Sequence, residues 1–222
     1  MRVLVVSVHP DDETLGCGGS LLRHRQEGDG IFWLIVSAAH EPHWSAEIIA
    51  RKAEEVDRVA SAYRVEKYFR LKFPAGDLDR TPQRELIGAI GQVIAEVRPE
   101  ILYLVHDGDV HTDHHAVFTA TQSVVKAFCM RKLGVRRILC YETLSSTEAA
   151  LPQFSRVFVP NVYSDISAYI DRKIEIMSLY ESEAQPEPLP RTASAIRALA
   201  RYRGAAIGVG YAEAYMLVRE VA

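Results

Sequence analysis

Five short apolar runs, rich in β-branched residues, alternate along the first two thirds of the chain with longer stretches whose apolar residues fall at helical spacing. Val3–Val8, Ile31–Ser37, Val65–Leu71, Ile101–Val105 and Arg136–Tyr141 read as strands. Leu15–Glu27, Ser45–Ala62, Arg80–Val97 and His114–Arg131 read as helices between them. This alternation is the mark of βαβ units and a mainly parallel sheet. Ile31–Ser37 (IFWLIVS) is apolar throughout, as expected of a strand covered on both faces. Past Tyr141 the rhythm breaks. A strand over Arg156–Tyr163, a long helix over Asp165–Glu183, an extended QPEPLP linker, a helix near Thr192–Arg203 and a last strand over Ala214–Glu220 are expected there. The expectation is one α/β domain over residues 1–222. It has a Rossmann-like, doubly wound core of strand order 3-2-1-4-5 over residues 1–145, flanked by helices, and a C-terminal elaboration over residues 146–222.

Composition excludes several classes. The chain has 222 residues, of which 48% are hydrophobic and 25% charged, with a formal net charge of −3. No block of Lys and Arg stands out, which argues against nucleic acid as the partner. No apolar run approaches the roughly 20 residues of a membrane span, and the strand-like N-terminus does not read as a signal peptide. The three cysteines, Cys17, Cys129 and Cys140, form no C-x-x-C pair. A disulfide framework is not expected, and a reducing cytoplasm is the default compartment. A homo-oligomer is left open.

Two stretches carry chemistry. The first strand runs into His9-Pro10-Asp11-Asp12-Glu13, and the fourth into a segment that packs His106, His111, His114 and His115 among Asp107, Asp109 and Asp113. In the expected strand order the first and fourth strands are neighbours at the topological switch point, where ligands bind beyond the carboxyl ends of the strands. Two imidazoles and a carboxylate suit a divalent metal, most often zinc with an open coordination position. His9, one neighbouring aspartate and a histidine of the second stretch make such a set. The remaining aspartate is then free to act as a base, and the remaining histidine to stand over a substrate. Gly16, Gly18 and Gly19 follow the first strand, but their spacing is not that of a dinucleotide fingerprint. Close helix–strand packing is their expected role.

HPDDE after a first strand with H-x-D-H after a later one resembles the LmbE/PIG-L family of zinc-dependent N-acetylglucosaminyl deacetylases. Arg51–Glu54, FPAGDLD (Phe73–Asp79) and GYAEAY (Gly210–Tyr215) are similar to secondary segments of that family. The resemblance implies hydrolysis of the acetamide of an N-acetylated, glucosamine-type sugar. One Zn²⁺, or another divalent ion, would be held by His9, Asp12 and His114. Asp11 would be the general base, and His111 would stabilise the oxyanion or protonate the departing amine with Asp113 setting its orientation. Arg51 would hold sugar hydroxyls. Thr112, the Pro74-Ala75-Gly76-Asp77 segment and Tyr215 depart from the family pattern. A metallohydrolase acting on a non-sugar amide or a phosphoester is the alternative.

Other residues stay open at this stage. His40 and His43 suit a substrate rim, a second metal site or an ordinary surface loop, and Trp44 beside them suits stacking on a sugar. His24 is expected to face solvent. Arg191, Arg197, Arg201 and Arg203 form either a solvated face or, folded over the crevice, a site for a phosphate- or nucleotide-bearing sugar.

Overall fold

The computed structural model describes residues 1–151 and 156–222. Among the described residues, one sheet of seven strands has the order β3-β2-β1-β4-β5-β7-β6. Strands β1 (Arg2–Ser7), β2 (Gly30–Ala38), β3 (Lys67–Pro74), β4 (Ile101–Val105) and β5 (Arg137–Tyr141) are parallel, in the predicted order 3-2-1-4-5. Strand β7 (Ala212–Glu220) adds antiparallel to β5, and β6 (Val162–Asp165) antiparallel to β7. Both central strands, β1 and β4, are buried nearly end to end, as parallel strands with helices on both faces must be.

Helices α1 (Asp12–Gln26), α2 (Ala46–Tyr63) and α3 (Gln83–Val97) fill the first three crossovers, close to their expected bounds. The single helix expected over His114–Arg131 is two, α4 (Thr112–Val124) and α5 (Ala127–Leu133), with the break at Val125–Lys126. Neither Gly nor Pro marks that break. Val125 is 2% exposed and leaves helical geometry as it packs into the core.

The C-terminal part differs more. The strand predicted over Arg156–Tyr163 is displaced to Val162–Asp165. The long helix predicted over Asp165–Glu183 contracts to α6 (Ile170–Met177) and a 3₁₀ turn at Glu181–Glu183. Helix α7 (Ala193–Ala205) starts at an N-cap on Thr192, whose hydroxyl accepts from the amide of Ala195. His24 is a correction too. It is half-buried and bonds Asp29 through Nδ1 (2.7 Å) and the Tyr103 hydroxyl through Nε2 (3.0 Å), tying the end of α1 to β4.

The glycines of α1 serve close packing. A Cβ on Gly16 would lie 2.0 Å from the Tyr141 ring, and one on Gly19 2.7 Å from Ile166. The helix kinks at Cys17 (φ −141°, ψ 18°), which frees the amides of Gly19 and Ser20. Glu213 of β7 accepts both at 2.8 Å, and also takes Lys173 Nζ at 2.7 Å and the Tyr215 hydroxyl at 2.9 Å. The GYAEAY segment therefore acts as an internal cap that pins the kinked helix to the sheet.

Candidate active site

The carboxyl ends of β1 and β4 open onto a crevice of about 560 Å³. His9, Asp11, Asp12, His111 and His114 all line it. Strand β1 ends at Ser7, and the chain turns into α1 through Asp11, which has φ +115° and ψ −28°. That conformation is costly for a residue with a side chain and tends to occur at functional sites. It aims Asp11 and Asp12 in different directions, a divergence expected from extended backbone but produced here by a left-handed turn. Asp11 holds the N-cap position of α1, yet its carboxylate makes no capping bond.

Asp12 Oδ2 accepts the amides of Val8 (2.9 Å) and His9 (2.8 Å), fixing the loop and leaving Oδ1 turned to the crevice. His9 Nε2 lies 3.0 Å from Asp113 Oδ2, and His114 Nδ1 lies 2.9 Å from Asp109 Oδ2. A carboxylate only accepts, so each of these ring nitrogens carries a proton, and in the neutral ring the other nitrogen is then a lone pair. Those two lone pairs face one another, His9 Nδ1 to His114 Nε2, at 3.4 Å. Asp12 oxygens stand 3.5 Å from His114 Nε2 and 3.8 Å from His9 Nδ1. Three acceptors turned inward repel unless a cation lies between them. Donors each about 2.1 Å from a tetrahedral ion are roughly 3.4 Å apart, so this set fits one divalent ion. The nitrogen–oxygen composition suits zinc and its first-row neighbours.

His111 is the N-cap of α4, and its Nδ1 accepts the amide of Asp113 at 3.2 Å. The ring proton is therefore on Nε2. Burial, with the nearby His9 and His114 rings, lowers the His111 pKa to about 4, so the ring is a neutral donor at physiological pH. Burial pushes the Asp11 carboxyl well above the usual carboxylate range, against the pull of Arg191. Arg191 Nη1 bonds Asp11 Oδ2 (2.8 Å) and Glu183 Oε2 (2.7 Å), and its Nε bonds Ser145 Oγ (2.8 Å). Behind the loop, Glu13 is buried and takes the hydroxyls of Thr14 and Tyr180 at 2.7 Å and the amide of Asp11 at 3.3 Å. Burial holds its pKa at about 6.

Some expected positions change. The Asp113 carboxylate orients His9 rather than His111, and it also collects the amides of Gly76 (2.7 Å) and Leu78 (3.0 Å). Arg51 is exposed and outside the crevice wall, where Lys52 stands instead, bonded to Ser182 (3.1 Å) and to Glu183. Of the four C-terminal arginines only Arg191 reaches the crevice. Arg197 pairs with Asp171, Arg203 with Glu142, and Arg201 donates to the carbonyl of Gly210. Arg191 is shared between Asp11 and Glu183, so this set brings no unpaired guanidinium to the crevice. His106 and His115 bond backbone carbonyls of Arg156 and Asp109. Asp109 is the residue that sequence reasoning missed. Its Oδ2 holds His114 and takes the Thr147 hydroxyl (3.2 Å), and its Oδ1 takes the His111 amide (3.1 Å).

Residues 4–125, more than half of the chain, match the pattern of the PIG-L family, described as GlcNAc-PI de-N-acetylase. The chain belongs to this family. Among its relatives is the diacetylchitobiose deacetylase of Thermococcus kodakarensis, 26% identical over 98% of this chain and 83% of that protein. A 1D-myo-inositol 2-acetamido-2-deoxy-α-D-glucopyranoside deacetylase of Rhodococcus jostii is 29% identical over 57% of this chain and 53% of that one. Among solved structures, a conserved protein of Thermus thermophilus superposes with a TM-score of 0.78 at 28% identity, covering 99% of this chain and 96% of the other. The N,N'-diacetylchitobiose deacetylase of Pyrococcus horikoshii shares the fold at a TM-score of 0.77 and 18% identity, covering 98% and 83%.

Proposed function

We propose that this chain is a metal-dependent N-deacetylase that hydrolyses the acetamide of an N-acetylated, glucosamine-type sugar to acetate and a free amine. The observation that carries the reading is the convergence of bare acceptors on His9, Asp12 and His114 beside a carboxylate, Asp11, that neither caps its helix nor belongs to the trio. Membership of the de-N-acetylase family supports the bond, and the sugar deacetylases among its relatives support the substrate class.

An ion held by His9, Asp12 and His114 would polarise the amide carbonyl and acidify a water, as zinc does in hydrolases. Asp11 faces the crevice and takes the proton from the attacking water. Once protonated, it returns that proton to the departing nitrogen. His111, neutral with its proton on Nε2, donates to the oxyanion as charge develops there. Arg191 fixes the Asp11 carboxylate in the crevice, and Asp113 and Asp109 hold His9 and His114 in the tautomers that leave acceptors for the ion.

Acetate release by the purified, zinc-loaded protein tests this against N-acetylglucosamine, its glycosides, chito-oligosaccharides and nucleotide-linked N-acetyl sugars. The expected result is release that a chelator abolishes and added zinc restores. No release from any of them, with one ion bound per chain, would point to a different amide or a phosphoester.

A further inference from the structure

Outside the trio, a second set of metal-binding side chains meets at the mouth of the crevice. His40 and His43 come from the loop after β2, and Asp77 from the turn after β3. His40 Nε2 lies 3.8 Å and His43 Nε2 4.0 Å from the same oxygen, Asp77 Oδ2. Among the described residues the only other charged group on Asp77 is Arg80, which approaches the opposite oxygen, Oδ1, at 3.3 Å. Neither imidazole hydrogen-bonds a described protein group, and His40 Nδ1 is buried with no partner among the described residues. The two rings meet edge to face with centroids 5.3 Å apart, and Trp44 packs 5.8 and 5.9 Å from them.

We propose that His40, His43 and Asp77 form a second site for a divalent transition metal, weaker than the first and exchangeable. Two imidazoles and a carboxylate select Zn²⁺, Ni²⁺ or Cu²⁺ over Mg²⁺ or Ca²⁺. The two separations to Asp77 exceed the tetrahedral edge of roughly 3.4 Å by about half an ångström, and all three ligand atoms lie within 4.8 Å of one another, a gap that side-chain rotations on a surface loop close. His43 is 59% exposed, so ligand exchange with water is easy. The turn is nevertheless well placed to hold an ion. Asp77 sits between Gly76 and Leu78, whose amides are both fixed on the Asp113 carboxylate. Because His40 and Trp44 line the crevice, an ion here narrows its entrance.

The test uses untagged full-length protein carrying one equivalent of Zn²⁺ and freed of excess, then titrated with Ni²⁺. Bound nickel and zinc are counted by elemental analysis while tryptophan fluorescence is followed. One equivalent of nickel is expected to bind without displacing zinc and to quench Trp44, the partly exposed tryptophan, since Trp33 is buried. His43→Ala and Asp77→Asn should each weaken that equivalent by roughly tenfold or more while the zinc stays. Trp44→Phe should remove the quenching and keep the binding. No nickel bound at about 1 mM free ion, or a second equivalent indifferent to both ligand variants, overturns the proposal. Because the readout is binding rather than turnover, failure here leaves the proposed deacetylase untouched, and a protein that bound zinc yet released no acetate would leave this site standing.

Discussion

The two ends of the first turns of α1 hold the same ingredient, a buried carboxylate at a helix N-terminus, and use it in opposite ways. At the kink, Glu213 is saturated: two amides, one ammonium and one hydroxyl occupy its oxygens. At the true start of the helix, Asp11 and Asp12 lie beside ring nitrogens of His9 and His114 that, among the described residues, meet only one another and Asp12. Burial is equal, so burial cannot tell the two apart. What separates them is whether the donors close the account. A buried acid with every oxygen answered by the protein is structure, whereas acceptors left facing one another are waiting for something that is not protein.

That contrast can be broken by substitution, beginning where the effect should be largest. Glu213→Ala leaves Lys173, 4% exposed, without its counter-ion, and removing one member of a buried pair costs about 3–5 kcal/mol. Denaturant unfolding should show that loss, with bound metal per folded chain unchanged; a lower metal stoichiometry would mean the two regions are not separable. Asp11→Asn should do the reverse. Turnover should fall by about 100- to 1000-fold, as for removal of one electrostatic partner, with metal content and unfolding midpoint near those of the parent. Near-parental turnover would remove Asp11 from the mechanism. Asp109→Asn swaps a charged acceptor of the His114 proton for a neutral one and should cost 10- to 100-fold in metal affinity, read by competition with a chromogenic chelator. Thr147→Val removes one hydrogen bond to the same carboxylate, worth about 1 kcal/mol. Its effect on metal affinity should be no more than several-fold; a loss equal to that of Asp109→Asn would shift the orienting role to Thr147.

What the sequence makes legible follows the same division. Strand order and the meeting of the HPDDE and H-x-D-H segments are readable because both rest on local patterns: alternation of periods, and chemistry-rich loops after apolar runs. Positions that depend on a helix's exact rotation are not. Arg51 and Lys52 differ by one residue, a turn of about 100° around α2, and that turn puts Lys52 on the wall and Arg51 in solvent. Asp109 reads as one of three aspartates in a loop until the fold brings it against His114, five residues on. Asp113 reads as the partner of His111, its neighbour in sequence. The structure instead assigns its carboxylate to His9, 104 residues away, a choice no spacing rule encodes. The long helix expected over Asp165–Glu183 is misjudged because the chain up to Asp165 is taken into β6, which pairs with β7, a strand that has not yet appeared in the sequence at that point; α7 lies close to its expected bounds.

Arg191 gives this architecture a timetable. The trio of His9, Asp12 and His114 is complete by residue 114 and follows strands that pair with one another. The guanidinium that steadies Asp11 arrives almost eighty residues later, on a segment held in turn by Glu183 and Ser145. During synthesis an ion could therefore lodge in the emerging sheet well before the carboxylate beside it is set. The nascent protein would carry its metal early and acquire a working base late, keeping hydrolysis in reserve until the C-terminal elaboration has closed over the crevice.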